Sequence, residues 1–228
     1  MKKLLIFGSA EIASLARYYF SHDSSYEVVA FTVDDEFANK ETFEGLPLVP
    51  FSIVKDRYPP SEFDMHVALS YQNLNSLREK KYNQAKENGY ALASYICSKS
   101  VTWPDLQVGE NCFILENQTI QPTVVVGDNV MIWSGNHLGH GCQIDDHVYI
   151  SSHVCLSGHT KVGKRSFLGV NATVKDFTII GEDCFVAMDA SVVRNVEDGS
   201  VVLGASGNVL SGDDRRAQKI KRMYFRGS

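Results

Sequence analysis

Between residues 108 and 192 an aliphatic side chain recurs at every sixth position without a break: Val108, Ile114, Ile120, Val126, Ile132, Leu138, Ile144, Ile150, Leu156, Val162, Leu168, Val174, Ile180, Val186 and Val192. The residue two before each is usually small or β-branched, as at Cys112, Val124, Val130, Cys142, Val148, Val154, Ala172, Cys184 and Ala190. An amphipathic helix repeats at 3.6 residues and a half-buried strand at 2. A period of six describes a chain that turns a corner after each short strand, so that three corners close one coil of eighteen residues. Stacked coils place the aliphatic side chains in one continuous core. The fifteen hexads make five coils, a prism roughly 24 Å tall at an inter-strand spacing of about 4.8 Å.

Ahead of the repeat the pattern changes. Apolar residues 2–7 read as a buried strand, Gly8-Ser9-Ala10-Glu11 as a turn, the segment to about residue 21 as a helix, and residues 26–32 as a second strand ending at Asp34 and Asp35. This is a β-α-β unit. Its turn keeps only the first glycine of a dinucleotide-binding fingerprint, with Ala10 and Ala13 in the other two places. It reads equally as a nucleotide site and as a plain Rossmann-like turn. Residues 43–50 read as an extended connection, 65–70 as a strand, and 75–88 as a helix closed by Gly89. Residues 90–96 lead into the coils. The expected organisation is a small parallel α/β domain over residues 1–95, a prism over 96–204 and a tail over 205–228. The tail ends in a basic helix over 211–228 that carries Arg215, Arg216, Lys219, Lys221, Arg222 and Arg226. A solvated terminal helix is its simplest reading; attraction for the phosphates of a ligand is the other.

Composition narrows the picture. The 228 residues carry a formal charge of −5, which disfavours non-specific nucleic-acid binding. No apolar run approaches the ~20 residues that span a bilayer, and the apolar stretch after Met1-Lys2-Lys3 is too short for a signal-peptide core. A cytoplasmic protein is expected. Of the five cysteines, Cys112, Cys142 and Cys184 share the inward position of the repeat and are expected to be buried, reduced thiols. No CxxC spacing points to a metal site, and none is expected.

Five of the seven histidines fall between His137 and His159. Imidazole suits proton abstraction near neutral pH, because its unperturbed pKa is about 6.5. Residues eighteen apart stack, so His140 is expected over Gly158 and Gly141 over His159. His140 stands two places past a core aliphatic and should point out of the prism. The simplest reading of each histidine is a corner residue bonded to neighbouring backbone, least so for His140.

The fifteen-fold hexad run resembles the hexapeptide-repeat acyltransferases, and this resemblance implies a left-handed parallel β-helix. The α/β domain placed before the prism makes the chain similar to bacterial sugar acyltransferases of the sialic acid O-acetyltransferase and bacillosamine N-acetyltransferase type. The resemblance implies that Leu138-Gly139-His140-Gly141-Cys142-Gln143-Ile144 carries the general base, His140. It also implies that the Gly158 N–H meets the thioester carbonyl. Gly8, Ser9, Ala10, Glu11, Asp34 and Asp35 then match the contacts to a nucleotide-linked sugar. Acetyl-CoA is the expected co-substrate, lying between subunits of a homotrimer against Gly158, Gly169, Val170 and Ala187. The family often has an acidic residue directly after the base, where this chain has Gly141. Asp145 or Asp146 is therefore expected to orient the imidazole, from the next corner or from a neighbouring chain; His147 is a further acceptor or orienting candidate, and Asn136 and His137 are expected to line the acceptor sugar. The implied activity is acetyl transfer to the amine of a nucleotide-linked amino sugar, as in polysaccharide biosynthesis. Transfer to a sugar hydroxyl is its close rival. Two readings from other classes are a β-helical metalloenzyme of the carbonic anhydrase type and a non-catalytic binding protein.

Overall fold

The computed structural model describes residues 2–225. The N-terminal sheet is built from β1 (Lys2–Phe7), β2 (Tyr26–Val33), β3 (Thr42–Phe43), β4 (Leu46–Pro50) and β5 (Phe63–Val67), in the order β3-β4-β2-β1-β5. All pairings are parallel except that of β3 with β4. The apolar runs of β1 and β2 are buried on both faces, as expected of parallel strands covered by helices. Helices α1 (Glu11–Asp23), α2 (Val54–Arg57) and α3 (Ser76–Glu87) complete the layer. The stretch 43–50, expected as an extended connection, instead forms part of the sheet. Glu44 and Gly45, both at positive φ, turn β3 back onto β4, and β4 then pairs with β2. The polar and proline content of that stretch concealed an edge hairpin.

The repeat folds as a left-handed parallel β-helix. Three parallel sheets of five, seven and five short strands form its faces. Each hexad pairs with the one eighteen residues on, as Val126 does with Ile144 and Leu138 with Leu156. The aliphatic column and the small residues two before it form one closed core, with Cys112, Cys142 and Cys184 at 0% exposure. Burial pushes the Cys112 thiol up to about 12, which keeps it protonated and inert. At every sixth residue from Asn111 to Asp189 the backbone φ lies between +54° and +82°, and these are the corners. His147, His153 and His159 are three of them, consistent with the tolerance of His and Asn for this conformation. The last turn is shorter: Phe185 pairs with Val201, sixteen residues on, as the closing strand. Beyond it, Asp214 caps α4 (Arg215–Tyr224) by accepting the Arg216 N–H at 2.7 Å. Arg226 lies outside the described residues.

The two parts share a core. Phe20 of α1 packs with Tyr95 and Phe113, which stand on the outer face of the prism. The Asn111 side chain accepts from Val67 N–H at 2.7 Å and returns a bond to its carbonyl, continuing the ladder of β5 into the first coil. The N-terminus of α3 is held more firmly. Arg78, 2% exposed, donates to the Asn129 carbonyl, to Asn75 Oδ1 at 3.1 Å and to the His147 carbonyl at 3.0 Å. Burial pushes its pKa down to about 10.

His66 on β5 gives the fold an acid-sensitive point. Its Nδ1–H donates to the Ala93 carbonyl at 2.9 Å, and the rings of Phe20 and Phe113 lie 5.0 and 5.3 Å away. Burial, with the Arg78 cation adding, brings its pKa down to about 4. The unfolded chain takes up this proton near pH 6.5 and the folded chain only near pH 4, so protonation favours unfolding in between. The stability is complete above about pH 6.5 and is lost as the pH falls toward 4. About 2 kcal/mol should disappear between about pH 7 and pH 5. Urea titrations at the two pH values, beside His66→Gln, check this: the variant should lose most of that difference.

Candidate functional site

His140 stands exposed at one edge of the prism. Its ring lies flat over Gly158, one coil on. A Cβ placed on Gly158 would come within 2.8 Å of His140 Cε1 and 2.9 Å of Nε2. Among the described residues the Gly158 N–H donates to no acceptor, whereas the His140 N–H, at the same repeat position one coil earlier, meets Gln121 Oε1 at 2.8 Å. An imidazole and an N–H without an acceptor thus lie at the same edge of the prism, with no side chain at Gly158 between them. This arrangement can take a proton from a nucleophile and donate a hydrogen bond to a developing oxyanion.

The ring's partner is one the sequence reading missed. Gln121 Oε1 lies 3.1 Å from His140 Nδ1. The stacking rule points to the right corner but not to the residue: Pro122 stands eighteen residues before His140 and Gln121 nineteen, and a neutral amide did not suggest a supporting role. Among the described residues neither acidic candidate bonds to His140. Asp146 accepts the Asp128 N–H at 2.9 Å and lies 3.4 Å from Lys164. Asp145 is exposed at the surface, and the partial desolvation of its carboxyl together with the neighbouring Asp146 raises its pKa. His147 is buried: Nδ1 accepts from Asn129 Nδ2 at 2.9 Å and Nε2 lies 3.5 Å from Glu79. Burial lowers its pKa against the pull of Glu79. It belongs to the joint between α3 and the coils and does not orient His140.

Asn136 is also corrected. It is 2% exposed and belongs to an amide ladder, receiving the Val154 N–H at 2.6 Å while its own N–H goes to Gln118 at 3.1 Å. It lines no surface. His137 stays half-exposed on its strand, between Thr119 and Cys155. Gly141, in the place of the usual acid, has its own reason. Its φ is +68°, and a Cβ there would lie 2.5 Å from His159 Nδ1. The His159 ring fills that space, stacked on Phe177 at 4.8 Å and edge-on to His140 at 5.0 Å.

Of the other expected coil residues, Gly169 is small because the next coil demands it: a Cβ would meet Met188 N at 2.5 Å. Val170 is an exposed corner neighbour, and the Ala187 N–H donates to the Val202 carbonyl at 2.8 Å.

A second concavity, a cleft of about 430 Å³, lies at the C-terminal ends of β1 and β2. Gly8, Ser9, Ala10 and Asp34 line it, together with Phe37, Gln72, Lys80 and Lys81. Gly8 has φ +134°, and a Cβ there would stand 2.8 Å from the Ala68 carbonyl oxygen, so no other residue fits. Lys81 Nζ lies 2.5 Å from Asp34 and 5.5 Å from the Phe7 ring centre. Two of the expected contacts fall outside this cleft. Asp35 turns away to accept from Ser52 Oγ at 2.6 Å, and Glu11 lines a separate recess on the far side of α1. The lysines are visible in the sequence as part of a basic helix, but only the packing of α3 aims them here. Within one chain, no three His, Cys, Asp or Glu side chains among the described residues converge as a metal-ligand set.

The bacterial transferase hexapeptide family (six repeats) matches residues 123–158, which include His140 and Gly158. No curated protein matches the sequence. The fold is that of several solved structures. The acetyltransferase domain of PglB from Neisseria gonorrhoeae superposes with a TM-score of 0.79 at 22% identity, covering 92% of this chain and 100% of that one; it has also been solved with acetyl coenzyme A. PerB from Caulobacter crescentus, solved with CoA and GDP-perosamine, gives 0.80 at 24% identity, covering 92% and 98%. WeeI from Acinetobacter baumannii gives 0.72 at 19%, covering 92% and 100%.

Proposed function

We propose that the protein is an acetyl-coenzyme A-dependent N-acetyltransferase acting on a nucleotide-linked amino sugar. The observation that carries the reading is the seat of His140: an exposed imidazole flat on Gly158, beside a free backbone N–H, within the stretch that matches the transferase hexapeptide repeat. His140 removes the proton from the sugar amine as the nitrogen attacks the acetyl carbonyl. The Gly158 N–H donates a hydrogen bond to the carbonyl oxygen as negative charge develops there. Collapse of the tetrahedral species breaks the C–S bond, and the departing thiolate recovers the proton from the imidazolium. No acyl-enzyme is formed, so no Cys or Ser nucleophile is required.

The cleft over Gly8 to Ala10 receives the nucleotide end, with Lys80 and Lys81 facing its phosphates. Acetyl-coenzyme A lies along the prism between two subunits of a homotrimer. The apolar side chains left exposed along it, among them Val170, Ile179 and Met188, supply surface for that contact. Perosamine, the sugar named with PerB, is an amino sugar, which favours an amine acceptor here over a hydroxyl.

Thiol release from acetyl-coenzyme A, scanned over nucleotide-linked 3-amino and 4-amino sugars and a sialic acid, tests the reading. Turnover with an amino sugar is expected. Turnover with the sialic acid alone would replace it by O-transfer, and no release with any acceptor would remove it. Lys81→Ala is expected to raise KM for the nucleotide-linked acceptor roughly tenfold or more, from loss of a charge-assisted hydrogen bond. KM for acetyl-coenzyme A should stay the same. Parallel changes in both constants would argue against the cleft as the nucleotide site.

A further inference from the structure

We infer that Gln121 positions the general base, holding His140 as the Nδ1–H tautomer so that Nε2 carries the free lone pair; this rests on His140 being that base. The assignment follows from one shared acceptor. The His140 backbone N–H points at a terminal atom of the Gln121 amide, 2.8 Å away. A backbone N–H can only donate, so that atom is the oxygen and not the amide nitrogen. The same oxygen lies 3.1 Å from His140 Nδ1. Facing an acceptor, Nδ1 carries the proton, and in the neutral ring Nε2 is then unprotonated. The second restraint is Gly158, whose missing side chain leaves room for the ring: a Cβ there would crowd Cε1, Nε2 and Nδ1 at 2.8, 2.9 and 3.3 Å.

The sequence neighbour of the base cannot do this work. A side chain at Gly141 would need φ +68° and would run into the His159 ring at 2.5 Å. Orientation therefore comes from the preceding coil instead of the next residue, and from an amide instead of a carboxylate. A neutral amide fixes the tautomer but lends no charge to the imidazolium that forms during transfer.

The test uses the full chain with ¹⁵N-labelled histidine, and His140 is assigned by its loss in His140→Ala. In the wild type, Nε2 should show the shift of an unprotonated ring nitrogen. In Gln121→Met the proton should move toward Nε2, and kcat should fall roughly ten- to a hundredfold, as for other groups that orient a functional imidazole. KM for acetyl-coenzyme A should not change. Gln121→Glu keeps an acceptor oxygen, so the tautomer should persist. Its carboxylate favours the protonated ring, so the acidic limb of the kcat profile should move up by about one pH unit or more. This variant also serves if Gln121→Met does not fold. A protonated Nε2 in the wild type, or a tautomer unmoved in Gln121→Met, would overturn the inference. A tautomer that switches without loss of turnover would leave the hydrogen bond standing but remove His140 as the base, and with it the catalytic role of Gln121.

Discussion

His140→Ala should lower kcat for acetyl transfer by roughly 10²- to 10⁴-fold, the usual contribution of a positioned general base. KM for acetyl-coenzyme A should change little, because the imidazole acts on the acceptor amine and not on the thioester's binding energy. The residual rate should rise with pH, since a free amine needs no base once it has lost its proton in solution. The loss is expected without unfolding. His140 is exposed, its ring touches the face of a glycine, and its removal uncovers no core. Initial rates over a pH series, beside a urea titration of the same variant, separate the two effects. Retention of wild-type kcat would move the base elsewhere, and His137, half-exposed on the neighbouring strand, would be the next residue to replace.

The largest loss of stability is expected at Arg78→Met. The side-chain volume is nearly kept, so the change reports on hydrogen bonds and not on a cavity. Arg78 donates to the carbonyls of Asn129 and His147, the same corner of the prism in two stacked coils, and also to Asn75 at the head of α3. Among the described residues neither corner carbonyl has another donor. Each unsatisfied buried carbonyl costs about 1–3 kcal/mol, so the pair should cost roughly 2–6 kcal/mol. Arg78→Lys should recover only part, since one ammonium cannot span both corners as a planar guanidinium does. A shift in the urea midpoint worth less than about 0.5 kcal/mol in Arg78→Met would contradict this account. The consequence for function follows from the helix. Lys80 and Lys81, which line the cleft, lie two and three residues beyond Arg78 on α3. Loosening that joint should raise KM for a nucleotide-linked acceptor even at temperatures where the variant stays folded.

The prism was legible in the sequence because a repeat is a local signal written many times. Each hexad must supply one core aliphatic and one residue that tolerates positive φ, so the period of six fixes the coil and the stacking of residues eighteen apart. His140 over Gly158 and Gly141 over His159 follow from that stacking, and both hold in the structure. The β-α-β start was legible for a similar reason, since apolar runs and a turn glycine are contiguous in the chain. The edge hairpin at β3 and β4 was not, because short edge strands carry little periodicity.

What only the tertiary structure decided is which polar side chains meet. Asn136 and His147 sat in the right stretch for a site, yet their burial commits them to ladders and to the α3 joint. Asp35 and Glu11 lay beside the right turn but point away from the cleft. Gln121 was unremarked, although its oxygen holds the ring of His140. Polar partnerships depend on direction over a few ångströms. The hexad period sets which residues stack, but it does not choose among the side chains at one corner. Domain docking adds contacts, such as those of Arg78 with the coils, between residues more than fifty positions apart. The sequence by itself determined the scaffold and singled out His140 as the candidate base. The hydrogen-bond partner of His140, and the lysines of the cleft, were decided by how the coils and α3 pack.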